Sequence, residues 1–147
     1  MRVMIIGKAT KETEAGLAWE DKEQFTRVMA EMGKFNEELL KAGVLLAAEG
    51  LHPSSKGVRV QFSGDKKTVI DGPFAEAKEL IAGYQIWEVK SMEEAIEWVK
   101  RFPNCSPTGE SEIEIRPVVD MADFAEVMAP DHLERAQNLR KTAYAKE

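Results

Sequence analysis

The sequence predicts an α+β fold in which two β-α-β units enclose a β-hairpin. Short apolar runs alternate with longer segments whose apolar residues recur every three or four positions, the spacings of strands and of amphipathic helices. A turn-forming Ser-Gly-Asp sequence separates the two middle strands, and an Asp-Gly sequence follows the second of them. The chain has 147 residues, of which 44% are hydrophobic. These numbers suit a folded domain with a core of its own.

The first β-α-β unit begins at the N-terminus. Residues 3–6 are apolar on both alternating faces, which predicts a strand buried on both sides. Residues 7–20 are rich in glycine and charge, and they are predicted to form a loop. From Asp21 onward an apolar stripe at helical spacing predicts a helix, and Gly43 is placed to end it. The run 44–48 predicts the second strand.

The hairpin and the second β-α-β unit follow. Residues 58–62 and 68–70 predict two strands joined by a Ser-Gly-Asp-Lys turn. Residues 84–89 and 112–118 predict two more strands, and a helix capped by Ser91 lies between them. Two β-α-β units with both helices on one sheet face predict a ferredoxin-like layout.

The C-terminal part of the chain differs in composition. We therefore divide the chain into a core domain, residues 1–119, and a helical extension, residues 120–147. Asp120 and Asp131 are predicted to cap two helices in the extension. The second helix has only a thin apolar stripe, so we expect it to lie on a neighbouring surface or subunit, or to fray.

Alternation along the strands predicts which side chains face the helices. The residues predicted on the helix side are Val58, Val60, Phe62, Ile113 and Ile115. The residues predicted on the other side are Arg59, Gln61, Gln85, Trp87, Glu112, Glu114 and Arg116. This mixed face suits the sheet of a second subunit, with a wet cleft between the two sheets. The alternative is a solvated outer face with a few surface hydrophobes.

Composition excludes several classes of function. Lys and Arg number 20 against 26 Asp and Glu, a net charge of −6, which argues against direct nucleic-acid binding and against an anionic membrane surface. No apolar run approaches the ~18–20 residues of a membrane span. The single cysteine, Cys105, and two separated histidines, His52 and His132, predict neither a disulfide framework nor a metal site. We expect a cytoplasmic protein without a metal or another cofactor.

Residues 71–79 combine a turn, an aromatic side chain and four charged groups. Asp71 and Gly72 predict a turn in which Gly72 adopts positive φ. Asp71 can instead face a cleft as a catalytic acid or base. Whichever holds, the segment is the strongest candidate for a site in this chain.

Three more charged residues follow that turn. Glu76 and Lys78 point the same way if the segment is extended, and they do not if it is helical. Together with Glu79 they can hold a polar ligand, with Glu76 as a catalytic group and Lys78 and Glu79 as ligand-binding groups. The alternative is a structural ion pair across a dimer.

Two candidate residues lie outside this segment. Arg116 follows an alternating strand, and its guanidinium suits a carboxylate or phosphate ligand unless Glu112 or Glu114 neutralises it. His52 follows a strand end and can act as a general acid or base, although a loop histidine is more often only exposed.

The run Asp-Gly-Pro-Phe-Ala-Glu at 71–76, followed by Lys78-Glu79 and Gly83-Tyr84, resembles the signature of the DGPF branch of YCII-related proteins. The resemblance covers roughly residues 1–119. Other landmarks occur in the same order, namely Glu49-Gly50-Leu51, Ala95-Ile96-Glu97-Trp98 and the run from Ile113 to Val118.

The resemblance implies a dimeric α+β barrel, in which the sheets of two chains face one another. It also implies a regulatory or stress-linked role, because DGPF proteins are often encoded beside extracytoplasmic-function sigma factors. YCII-like domains resemble a dehydrochlorinase of aromatic degradation with a proposed His-Asp catalytic pair. The histidine of that pair lies early in the first helix, whereas residues 20–42 contain no histidine.

Three hypotheses follow. The first is a small homodimer that binds a small polar ligand in a cleft between its sheets. The second is a cofactor-free acid-base enzyme of the lyase, isomerase or hydrolase type that uses Asp71, Glu76 and His52. The third is a structural interaction domain whose cleft is filled by side chains.

Overall fold

A computed structural model describes residues 1–16 and 20–144, with only the backbone of Tyr144 included. Residues 17–19 of the predicted loop lie outside the described part. One compact unit runs from Met1 to Pro117, and a second unit begins at Val118. In chain order the helices and strands are β1 (Arg2–Lys8), α1 (Lys11–Glu14), α2 (Lys22–Lys41), β2 (Leu45–Gly50), β3 (Val58–Ser63), β4 (Lys66–Asp71), β5 (Ile81–Glu88), α3 (Met92–Val99), β6 (Ile113–Pro117) and α4 (Pro130–Tyr144).

The main sheet has four strands in the order β2-β5-β1-β6, and all neighbouring strands are antiparallel. This order brings the first strand of each β-α-β unit to the centre, as in a ferredoxin-like fold. The predicted α+β class is therefore confirmed. Both predicted ends of α2 are also confirmed. Asp21 caps its N-terminus by accepting a hydrogen bond from the amide of Gln24 at 3.0 Å, and Gly43 adopts φ 70° just after its C-terminus.

The core lies between the helices and one face of this sheet. Val3, Ile5 and Trp87 of the central strands are 1% exposed or less, and Phe35 and Leu39 of α2 pack on them. Full burial of a large apolar side chain contributes about 1.5–3 kcal/mol, so this cluster supplies much of the stability of the first unit. The ring of Phe35 is tilted against that of Trp87 at a centroid distance of 6.3 Å, and it meets the ring of Phe102 edge-on at 5.3 Å.

A buried polar pair lies within that core, and it corrects the predicted sheet faces. Gln85 and Trp87 were expected on the face away from the helices, but both are buried on the helix side. Trp87 is paired with Val3, and directly paired residues share a face. Because Trp87 Nε1 donates to Gln85 Oε1 at 2.7 Å and Gln85 Nε2 donates to Asn36 Oδ1 at 3.0 Å, the amide is satisfied without water.

The β3–β4 hairpin departs further from prediction. It forms a separate two-stranded sheet, and every residue of both strands is exposed. Val58, Val60 and Phe62 therefore do not cover the helix side of the main sheet, and Arg59 and Gln61 do not share its other face. Alternation correctly predicts a strand but does not specify which sheet the strand joins. The prediction for Ile113 and Ile115 is confirmed, because both pack against the core.

Two shorter segments also differ from prediction. The expected loop after β1 contains α1, whose N-cap Thr10 accepts from the amide of Thr13 at 3.2 Å. In the second unit Asp120 caps a 3-10 turn, Met121–Phe124, instead of an α-helix. The helix α4 begins at Pro130, since proline lacks an amide hydrogen and suits the first helical turn, so Asp131 lies inside the helix and does not cap it.

Candidate functional site

Helices α2 and α3 pack on one face of the main sheet, and we call the face that they do not cover the open face. Its centre is a block of four half-buried side chains on the two central strands. Met4 is paired with Ile86, and Ile6 is paired with Tyr84. Because their neighbours along each strand point into the core, these four side chains point the other way. The centre of the open face is therefore more apolar than the sequence predicted.

A charged cluster borders this block, and it consists of Lys8 on β1 with Glu114 and Arg116 on the edge strand β6. Glu114 is paired with Ile6, and Arg116 is paired with Met4. One carboxylate oxygen of Glu114 lies 2.9 Å from Lys8 Nζ, and the other lies 3.5 Å from Arg116 Nε. The predicted pairing of Arg116 with a glutamate of its own strand is therefore present, while its role in ligand binding stays a prediction.

This cluster shifts the ionisation of its carboxylate. The hydrogen bond from Lys8 is the largest cause that lowers the pKa of Glu114 below its ordinary value. The charges of Lys8 and Arg116 lower the pKa further, and partial desolvation opposes them. Glu114 therefore stays ionised at neutral pH between two cations.

Two groups on the open face keep free hydrogen-bonding capacity. The side chain of Arg116 is 70% exposed and meets Glu114 through Nε, so its two terminal nitrogens have no partner among the described residues. The hydroxyl of Tyr84 likewise has no partner within residues 1–16 and 20–144. Both groups are available to a ligand or to another chain.

The turn that begins at Asp71 is held by a clamp from two other segments. The amide of Phe74 donates to Ser54 Oγ at 3.0 Å, and Ser54 Oγ in turn donates to the carboxylate of Glu14. The amide of Ser54 donates to both oxygens of Glu14 at 3.2 Å. The guanidinium of Arg59 lies 3.9 Å from the centre of the Phe74 ring, a cation-π contact.

Gly72 is required in this turn for a reason other than the predicted one. It does not adopt positive φ; the positive φ in this segment, 59°, belongs to Glu76. A Cβ atom on Gly72 would lie 1.7 Å from the carbonyl oxygen of Ser54. The close approach of the two backbones, and not the backbone dihedral, excludes a side chain at this position.

The other predicted site residues surround the turn without forming a cluster. Asp71 ends β4, Glu76 precedes a 3-10 turn from Ala77 to Glu79, and His52 lies in the loop after β2. Glu76 and Lys78 were predicted to point the same way only if this segment were extended, and the segment is not extended there. Asp71, Glu76, His52, Lys78 and Glu79 are all exposed, and no side-chain hydrogen bond or ion pair joins them in the described residues.

Sequence reasoning missed four residues that define these features. Lys8 and Tyr84 on the open face were detectable from alternation. Lys8 continues the alternation of Met4 and Ile6, and Tyr84 alternates with Ile86 on β5. Glu14 was missed because its helix is a single turn, although Thr10 with Thr13 three residues later is a capping pattern. Ser54 had no signal in sequence, since its contacts are 20 and 40 residues away.

Other kinds of site find little support. Although Cys105 is exposed as a residue, desolvation of its sulfur and, secondarily, the charge of Glu31 raise the pKa of its thiol, which disfavours the nucleophilic thiolate. In residues 1–16 and 20–144, no group of three or more His, Cys, Asp or Glu side chains is arranged to hold a metal ion. No described helix is both long and apolar enough to cross a membrane.

Comparison with known proteins finds two similarities. Residues 1–122 match the YCII-related domain. The chain is also 32% identical over 101 residues to an uncharacterised protein of Rhizobium meliloti (strain 1021), an alignment that covers 69% of this chain and 80% of the relative. The residues that match the YCII-related domain contain the whole first unit, with the open face, the charged cluster and the clamped turn.

Proposed function

The chain belongs to the YCII-related domain family, and we propose that it is a small cytoplasmic homodimer that binds a small polar ligand in a cleft between two sheets. The signature at residues 71–79 supports its placement in the DGPF branch of that family. A regulatory or stress-linked role for the protein rests on the same resemblance.

The open face is the observation that carries this proposal. It has apolar side chains at its centre and charged ones at its edge, the arrangement of protein interfaces, whose cores are apolar and whose rims are polar. Helices α2 and α3 cover the other face of the same sheet, so a second chain would meet this sheet at the open face. A two-fold dimer would place two such faces opposite each other, as in a dimeric α+β barrel.

The exposed hairpin supports the dimer independently. A two-stranded hairpin is marginally stable in water by itself, and this one exposes 47% of Val60, 69% of Phe62 and 65% of Val69. Large apolar side chains grouped on one small element are typical of an interface. A second copy of the chain carries the same apolar side chains, and in a dimer they would cover those of the hairpin.

A ligand site at the edge of that interface follows from the charged cluster. The terminal nitrogens of Arg116 bind no other described residue, and an interface with a polar rim leaves room for water or a polar molecule there. The clamped turn with Lys78 and Glu79 adds further charged groups to the first unit. The acid-base enzyme has less support, because Asp71, Glu76 and His52 make no side-chain hydrogen bond or ion pair among the described residues that would orient them toward a substrate.

Light scattering coupled to size exclusion tests the dimer. We expect the wild-type chain to have twice the mass of one chain and Ile86→Lys, at the centre of the open face, to be monomeric while its circular dichroism is unchanged. The matched control is Ile96→Lys on α3, an exposed isoleucine on the helix side of the sheet, which should leave the dimer intact. A monomeric wild type, or a dimer that survives Ile86→Lys, would contradict the proposal.

A further inference from the structure

The charged cluster has an excess of positive charge within ion-pair distance. The single carboxylate of Glu114 is shared by two cations, Lys8 at 2.9 Å and Arg116 at 3.5 Å. Glu112, the next acidic residue toward the N-terminus, makes no ion pair among the described residues. One more carboxylate would therefore balance the two cations.

Arg116 is placed to receive such a group. Its contact with Glu114 uses Nε, its terminal nitrogens have no partner in the part of the chain that the structure describes, and its side chain is 70% exposed. A guanidinium presents paired donors that match the two oxygens of a carboxylate, which gives charge-assisted hydrogen bonds with defined geometry. The site thus favours a planar anion over a neutral group.

The floor beside Arg116 defines the rest of the ligand. Ile6 is paired with Glu114 on one side and with Tyr84 on the other, so Tyr84 lies two strands from the charged cluster, about 10 Å away at the usual strand spacing. The surface between them consists of apolar side chains. Tyr84, whose hydroxyl has no partner within residues 1–16 and 20–144, lies on its far side.

From this layout, and resting on the proposed ligand-binding function, we infer that the open face binds a small monocarboxylate with a flat apolar body. Arg116 and Lys8 hold the carboxylate, Ile6 and Met4 contact the body, and Tyr84 marks the far end. In the proposed dimer these side chains line the cleft between the two sheets, and the two chains meet at Ile86 and at the hairpins. Glu49 is paired with Tyr84 on the next strand, so a second carboxylate at that end would be repelled. The site therefore selects one negative charge at the β6 end.

Binding of benzoate to the full chain, compared with benzamide, tests this inference. The two compounds have the same shape and differ in charge, and methyl-labelled isoleucine reports the location. We expect saturable shifts at the methyl groups of Ile6 and Ile86, none at Ile96, and affinity for benzoate about 10–100-fold above that for benzamide, the size of a charge-assisted pair. Terephthalate, with a second carboxylate opposite the first, should bind more weakly than benzoate.

Variants separate the role of the cluster from general charge. Arg116→Gln should weaken benzoate binding about 10-fold or more and leave benzamide binding unchanged, and Arg116→Lys should fall between. Glu112→Gln, a charge change just before β6 and outside the cluster, should stay within about 2-fold of the wild type, since it is worth less than one charge-assisted contact.

The outcomes also distinguish this inference from the function on which it rests. Equal affinity for benzoate and benzamide, or full benzoate binding by Arg116→Gln, overturns the inference and leaves a dimer with a ligand cleft in place. Failure of both compounds to shift Ile6 or Ile86, although the chain is dimeric, overturns the inference alone. A monomeric chain to which neither compound binds overturns both.

Discussion

The main sheet and the β3–β4 hairpin have similar alternating sequences but differ in what covers them. Val3 and Trp87 in the sheet are fully buried by helices of the same chain, whereas Phe62 and Val69 in the hairpin are 69% and 65% exposed. The sheet therefore obtains its stability within one chain. The hairpin lacks that source, and we propose that a second chain supplies it.

Substitution in each region measures this difference directly, and the largest effect is expected in the sheet. Trp87→Ala should destabilise the first unit by about 3–5 kcal/mol, because it opens a large cavity and leaves the amide of Gln85 without its indole donor. Phe62→Ala, the matched change in the hairpin, should cost less than about 1 kcal/mol in dilute monomer, where its side chain is exposed. Urea unfolding measures both, and similar losses would refute the distinction.

Gly72→Ala tests the junction between the hairpin and the turn that follows it. The new Cβ atom would lie 1.7 Å from the carbonyl oxygen of Ser54, so the backbones must separate, at an expected cost of about 1–3 kcal/mol or more. Gly50→Ala is the control, because nothing lies within 4 Å of its Cβ position and its φ is not positive. A thermal melt in which both variants match the wild type would show that the turn yields freely.

Ser54→Ala tests the clamp that holds this turn to α1. It removes the acceptor of the Phe74 amide and the donor to Glu14, so we expect a loss of about 1–2 kcal/mol and faster amide exchange at Phe74. Ser55→Ala is the neighbouring control, since Ser55 is exposed and makes no side-chain hydrogen bond in the described chain. Unchanged exchange at Phe74 would show that the clamp adds no protection.

The smallest expected effect concerns the open face and depends on pH. Since the folded chain lowers the pKa of Glu114, the ion pairs stabilise the fold fully above the ordinary glutamate pKa of about 4.3. That contribution is lost as the pH falls through the lower pKa of the folded state. The stability difference between wild type and Glu114→Gln should therefore be constant near neutral pH and narrow below about pH 4.3.

Urea midpoints of wild type and Glu114→Gln, from neutral pH to below about pH 4.3, measure whether this stability difference narrows. Glu112→Gln serves as the control because it removes a nearby carboxylate that makes no ion pair with any residue that the structure describes. A gap for Glu114→Gln that widens toward low pH would have the wrong sign for a lowered pKa and would contradict the assignment.

Local patterns in the sequence determined much of the fold. Asp21 and Gly43 mark the ends of α2, because capping and the left-handed turn after a helix involve residues close in sequence. The alternation in residues 58–71 and the glycine at position 64 were enough to place the hairpin. The signature at residues 71–79 was enough to suggest the family to which the chain belongs.

Only the tertiary structure decided which faces are buried and which distant residues meet. Both faces of β5 are largely apolar, so burial of Gln85 and Trp87 depends on their register opposite β1 and on Asn36 of α2. The hairpin separated from the main sheet, and Ser54 joined Glu14 to Phe74, through contacts that no local pattern encodes. Periodicity and capping act between neighbours along the chain, whereas strand order and face selection depend on pairing partners tens of residues away.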